Sequence, residues 1–214
     1  MSTPQRPEPG ARVALVDSGG TNIASVAHAI ERLGSHASLT ADPDEILSAD
    51  RVILPGVGAA AAGMARLREL GLVEVLREVT APVLGVCLGM QLLFEHSEED
   101  GGVDLLGFLP GRVRRIPAVP GLRVPHMGWN ILDLHRTQAP LLAGLSSGQR
   151  AYFVHSYVAE LGEATLATTT HGVEFSAVVG DGRVWGAQFH PEKSADVGAR
   201  LLANFLSPSI QETP

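Results

Sequence analysis

A single cysteine, Cys87, stands among 214 residues, so no disulfide can close within the chain, and a lone free thiol suits a reducing compartment. Long apolar runs are missing as well: none approaches the roughly 18 residues that a membrane-crossing helix needs. The leader from Met1 to Gly10 is polar and proline-rich, unlike a secretory signal, and reads as a disordered tail. Positive charge is scarce, and a formal net charge of −7 argues against nucleic acid as a partner. The local exception, Arg112, Arg114 and Arg115, reads as a solvated face. No repeat and no linker divides the chain, and no histidine pair has zinc-ligand spacing alongside Cys87. These absences predict a soluble cytoplasmic protein with no metal and no cofactor. One core over residues 11–208 is expected, between tails at 1–10 and 209–214.

What apolar sequence there is comes in short runs. Arg12 to Asp17 is nearly continuous, as a parallel strand buried on both faces requires. The loop Ser18-Gly19-Gly20-Thr21-Asn22 leads into Ile23, Val26, Ala27, Ile30 and Leu33, spaced for one helical face and stopped by Gly34. That loop lacks the Gly-x-Gly-x-x-Gly pattern of a dinucleotide turn. A strand at Ala37 to Thr40, a brief helix at Asp42 to Leu47 and a strand at Arg51 to Leu54 follow, the last running into Pro55-Gly56-Val57-Gly58. Helical patterns at Ala59 to Leu67 and Leu72 to Val79 precede another apolar run, Val83 to Val86. This alternation predicts a doubly wound α/β fold on a mixed, mostly parallel sheet, with the turns after Asp17, Pro55 and Cys87 side by side at its carboxyl edge. Beyond an expected exposed loop at 97–102 the texture changes to short strands. Gly180-Asp181-Gly182 signals a hairpin, so strands of the second half should add antiparallel along one edge, closed by a helix over 196–206.

The chemistry concentrates at Gly85-Val86-Cys87-Leu88-Gly89, an apolar run that breaks at a cysteine between two glycines and continues as a helical pattern. This reads as a nucleophile elbow: the glycines let strand and helix pack closely while the residue between them is held in strained, exposed geometry. A sulfur at a helix N-terminus also gains from the partial positive charge there. A nucleophilic thiol needs a base, and the base an orienting acceptor. Gln188-Phe189-His190-Pro191-Glu192-Lys193 offers both, because in extended chain the side chains of His190 and Glu192 point the same way. His28, His36, His96, His135 and His171 read as structural or surface residues.

Taken together, Gly85 to Gln91 and Phe189 to Glu192 resemble the glutamine amidotransferases of the Cys-His-Glu class. Within these, Pro55 to Gly58, Pro125-His126-Met127-Gly128-Trp129-Asn130, Tyr152-Phe153-Val154-His155-Ser156-Tyr157 and Glu192-Lys193-Ser194 resemble the glutaminase subunits of imidazole glycerol phosphate synthase. Thr21 departs from a glycine usual in that family's first turn. The resemblance implies a class I amidotransferase fold in which Cys87 attacks the side-chain amide of glutamine, His190 moves the proton and Glu192 orients it. Backbone N–H groups of Val57 and Leu88 are expected to form the oxyanion hole. Gly56, Gly58, Gln91, His155, Ser156 and Tyr157 are expected to hold glutamine. Asn22, Trp129, Tyr152 and Lys193 would face a (βα)₈-barrel cyclase subunit that uses the ammonia to make imidazole glycerol phosphate and an aminoimidazole carboxamide ribotide in histidine biosynthesis. Two other readings stay open at this point: an amidotransferase subunit of another pathway, against which Pro125 to Asn130 weighs, and a binding or stress-response protein with an oxidisable cysteine, which would not require His190-Pro191-Glu192.

Overall fold

The computed structural model describes residues 10–19 and 23–211, so the expected N-terminal tail falls almost wholly outside the described residues, as do Thr21 and Asn22. The first half alternates strand and helix: β1 (Arg12–Val16), α1 (Ile23–Arg32), β2 (His36–Thr40), α2 (Pro43–Leu47), β3 (Arg51–Gly56), α3 (Ala60–Glu69), α4 (Leu72–Glu78), β4 (Val83–Cys87) and α5 (Leu88–Leu92). Short strands then dominate: β5 (His96–Ser97), β6 (Val103–Asp104), β7 (Arg112–Arg115), β8 (His126–Ile131), β9 (Asp133–Leu134), β10 (Arg150–His155), β11 (Tyr157–Ala159), β12 (Thr165–His171), β13 (Val173–Asp181) and β14 (Val184–Ala187), closed by α6 (Ala195–Leu206).

Eight strands form the main sheet in the order β2-β1-β3-β4-β14-β13-β12-β9. The first five are parallel, and β13, β12 and β9 continue antiparallel. In β1 the alternation that strands impose sends Val13 and Leu15 to one core and Ala14 and Val16 to the other, which is why its sequence is apolar throughout. α1 and α6 cover the first face with Val26, Ile30, Val197, Leu201, Leu202 and Phe205; α3, α4 and α5 cover the second with Met64, Leu67, Leu76 and Leu88. The hairpin turn falls at Gly182 and Arg183, because β13 runs on to Asp181, which pairs with Val184.

Two features differ from the sequence reading. The second-half strands do not all join the main sheet: β8 pairs with β10, and β11-β7-β5-β6 makes a further four-stranded sheet. Nor is the segment after residue 208 set apart from the core, since Pro208–Gln211 forms a 3-10 turn whose Ile210 is buried in the first core.

The elbow is held by close contact rather than by side-chain caps. A Cβ on Gly89 would overlap the Leu54 carbonyl of β3, and one on Gly85 would lie 2.6 Å from Met90 Cα. Gly89→Ala is therefore expected to destabilise the protein by more than about 2 kcal/mol. Urea unfolding tests this, and an unchanged midpoint would show that α5 lifts off β3 freely.

Candidate active site

β3, β4 and β14 are parallel neighbours, so their carboxyl ends deliver Gly56, Cys87 and the segment Gln188 to His190 to one edge of the sheet. Cys87 sits where β4 becomes α5, at φ 54° and ψ −111°, a left-handed conformation that costs a non-glycine residue energy and marks the elbow as strained. α5 is only five residues long, so its dipole is small and the groups around the sulfur matter more. Sγ lies 3.6 Å from the Val154 carbonyl and 3.9 Å from Nε2 of Gln188.

His190 follows β14 and is fixed by its backbone N–H, which donates to the Tyr152 carbonyl at 2.9 Å, while Ser194 Oγ donates to the His190 carbonyl at 2.7 Å. Nδ1 of its ring is 2.9 Å from Oε1 of Glu192, and both side chains are buried. Burial alone would lower the imidazole pKa. Hydrogen bonds to Cys87 and Glu192, with the charges of both, overcome that and raise it to about 9. At neutral pH His190 thus carries its proton between carboxylate and sulfur. Glu192→Gln, which keeps an acceptor but removes the charge, is expected to lower kcat for glutamine hydrolysis about tenfold to a hundredfold, and less than His190→Ala. Equal losses in the two variants would give Glu192 a role beyond orienting the ring.

A cavity of about 450 Å³ opens above the thiol, lined by Val57, Gly58, Cys87, Leu88, Gln91, His155, Ser156, Tyr157, His190 and Lys193, all singled out from sequence. Gly56 lies behind it, where a Cβ would meet Gly89 N at 2.8 Å and Leu88 Cβ at 2.9 Å; its lack of a side chain serves packing, whereas Gly58 at φ 100° serves the turn. Trp129 and Tyr152 stand away from the cavity, ring to edge at 5.9 Å on the outer face of the β8–β10 pair. Asn22 lies outside the described residues.

Several lining residues were not foreseen. Glu99 comes from the segment read as an exposed loop, which instead turns a 3-10 helix (Glu99–Gly101) toward the cavity. Its carboxylate accepts from the backbone N–H of Ala60 at 2.5 Å, and burial, reinforced by Asp100, pushes its pKa up despite that bond. Pro125 and Val154 complete the wall, and Gln188 and His126 are buried just behind it. Glu99, a carboxylate in a glycine-rich acidic stretch, carried no usable sequence signal.

A cysteine on a strained elbow, an imidazole between it and a carboxylate, and a small-molecule cavity above both are the parts of an amide-cleaving site. A family model, glutamine amidotransferase class-I, matches residues 14–208. Imidazole glycerol phosphate synthase subunit HisH of Xanthomonas campestris pv. campestris (strain 8004) is 56% identical over 198 residues, covering 92% of this chain and 98% of that protein. The chain belongs to the class-I glutamine amidotransferases, in the family of HisH. HisH of Xylella fastidiosa (strain Temecula1) is 55% identical over 194 residues, covering 91% and 96% of the two chains. A glutamine amidotransferase crystal structure superposes with a TM-score of 0.72 at 23% identity, over 94% of this chain and 99% of that one. The structure of PurLQS from Thermotoga maritima does so with 0.64 at 20%, over 95% of this chain and 98% of that one, and these two speak for the fold alone. This amidotransferase is an enzyme, and among its described residues no helix is long and apolar enough to cross a membrane.

Proposed function

We propose that this amidotransferase hydrolyses glutamine through a thioester on Cys87 and passes the ammonia to a (βα)₈-barrel cyclase subunit in the cytoplasm. There it would be built into imidazole glycerol phosphate and an aminoimidazole carboxamide ribotide in histidine biosynthesis. The observation that carries this reading is the His190 imidazole, hydrogen-bonded to Glu192 at 2.9 Å and lining one cavity with Cys87.

The sulfur attacks the amide carbon, forming the S–C bond, and the C–N bond breaks as His190 gives its proton to the leaving nitrogen. Water, deprotonated by the now neutral His190, then attacks the thioester carbon; the C–S bond breaks, glutamate leaves, and the sulfur is released beside a His190 that carries its proton again. The N–H of Leu88, next after the nucleophile, and that of Val57 are the donors for the tetrahedral oxyanion. Gln91 and the carboxylate of Glu99 suit the substrate ammonium, with His155, Ser156 and Tyr157 lining the same cavity.

The outer face of β8 exposes Met127, Trp129 and Ile131 at 65%, 51% and 48%, and such a row of large apolar side chains suits a subunit contact. Lys193, the only lysine of the chain, is exposed at the cavity rim beside it. Lys193→Glu is expected to weaken the complex or to uncouple glutamine hydrolysis from cyclase product. The test is reconstitution with the cyclase, comparing glutamine-driven with ammonia-driven product formation. Unchanged affinity and coupling in Lys193→Glu would exclude that residue, and absence of glutamine-driven product with the intact chain would overturn the pathway assignment.

A further inference from the structure

Behind the thiol runs a connected chain of polar groups, of which the reaction above uses only those that line the glutamine pocket. It begins on β8, where the Asn130 amide donates to the Thr170 carbonyl at 2.8 Å and stands 3.3 Å from Nε2 of His126. Directly across the β8–β10 pair, Nδ1 of His126 is 3.1 Å from Nε2 of His155, and Nδ1 of His155 is 2.8 Å from the Tyr157 carbonyl. That carbonyl also accepts from Nε2 of Gln91 at 2.8 Å. The same nitrogen donates to Oε1 of Gln188 at 2.9 Å, and Nε2 of Gln188 in turn reaches the Cys87 sulfur.

Only one arrangement of protons fits these contacts. A carbonyl oxygen can only accept, so His155 bears its proton on Nδ1. Burial lowers the His155 pKa to about 3, and the ring is neutral, which makes Nε2 an acceptor and His126 the donor from its own Nδ1. Burial, with the nearby His171, lowers His126 to about 4, so it too is neutral and accepts from Asn130 at Nε2. Gln91 faces two oxygens; turning its amide over would set oxygen against oxygen twice. With both its hydrogens committed, Gln91 offers the cavity an oxygen. The direction of Gln188 follows, oxygen toward Gln91 and nitrogen toward sulfur.

We propose that Gln188 is a further catalytic residue, whose amide N–H stabilises the sulfur of Cys87 whenever it is anionic, and that Gln91, His155 and His126 are positioning residues that hold that bond in its direction. The proposal rests on Cys87 being the nucleophile. It gives a reason for a wholly buried glutamine at the end of β14, where an apolar residue would satisfy packing. A bond of 3.9 Å is long, and a charged acceptor draws such a donor closer and strengthens it.

The test uses the complex with the cyclase and two readings, glutamine hydrolysis and alkylation of Cys87 by iodoacetamide, which needs the sulfur but no glutamine-binding group. Gln188→Leu is expected to lower kcat about tenfold to a hundredfold with KM changed less than about twofold, and to slow alkylation in parallel. Gln188→Glu, which still accepts from Gln91 but turns a negative oxygen to the sulfur, should lose more of both. His126→Phe keeps the stack on Phe153 but cannot donate, and should lower both readings by a smaller factor. A folded Gln188→Leu with wild-type kcat and alkylation, alongside an inactive Cys87→Ala, overturns this proposal alone. Activity in Cys87→Ala overturns the reading beneath it. A raised KM at unchanged kcat would make Gln188 a support of the glutamine pocket and also overturns the proposal. Should Gln188→Leu not fold, His126→Phe with both readings unchanged decides against it.

Discussion

Cys87→Ala is expected to abolish glutamine hydrolysis, by about 10⁴-fold or more, while the protein stays folded and still binds its partner. The elbow requires a small residue at φ 54°, and alanine places no new atom against its neighbours. What it removes is the only sulfur-based nucleophile in the chain. His190→Ala should fall nearly as far, and the double variant little further, because nucleophile and proton donor act as one unit. The measurement is glutamate release in the complex, with circular dichroism as the folding check and an electrophilic glutamine analogue as the label for Cys87. Appreciable release by Cys87→Ala would remove the thioester from the mechanism. The pH profile carries a second check. The His190 pKa is raised, so the proton needed for the leaving nitrogen is in place at neutral pH and is lost as pH rises through about 9. Turnover should decline on that alkaline side, and the alkaline limb should vanish from whatever activity His190→Ala retains.

The isolated chain is expected to be a poor glutaminase whose turnover rises about 10² to 10³-fold when the cyclase and its nucleotide bind, the worth of one oxyanion donor. The motive is the turn after β3. Val57 stands between Gly56 and Gly58, neither of which restrains the peptides on either side as a Cβ would, so the Val57 N–H has alternative directions at small cost. Gly56 itself is pinned by its closeness to Leu88 and Gly89, and the freedom lies mainly toward Gly58, exposed at φ 100°. Ammonia released without an acceptor is lost to solvent, so a donor supplied only on docking would be protective. Steady-state hydrolysis by the chain, the complex and the complex with a nucleotide analogue measures it. Equal rates in all three would leave Val57 with a fixed role.

Much of this was legible in the sequence because the strongest local signals coincide with the chemistry. A parallel strand buried on both faces has to be apolar throughout, so β1, β3 and β4 announce themselves, and an elbow between close-packed elements has to carry glycines, so Gly85 and Gly89 do as well. His190 and Glu192 are two residues apart, and their pairing is a local matter. What stayed hidden depends on contacts between distant residues. Gln188 meets Gln91 across a separation of 97 residues, and nothing around either marks them as partners. β5 and β6 are two residues each, too short for any period to show, so the sheet they join could not be placed and Glu99 beside it read as solvent-exposed.

The position of β14 sets an order in time. Among the described residues it is the last strand in sequence, yet it lies inside the sheet, paired with β4 on one side and β13 on the other. A growing chain can build β1 to β4 and α5 from near neighbours in sequence, with the thiol already on its elbow but with one side of β4 unpaired. Only when Val184–Ala187 slots in beside Val83 to Val86 does the imidazole arrive. Pairing of this range is slow, and it makes closure of the sheet and assembly of the catalytic pair a single event. A chain that lacks β14 is therefore expected to leave one edge of β4 unpaired and the thiol without its imidazole.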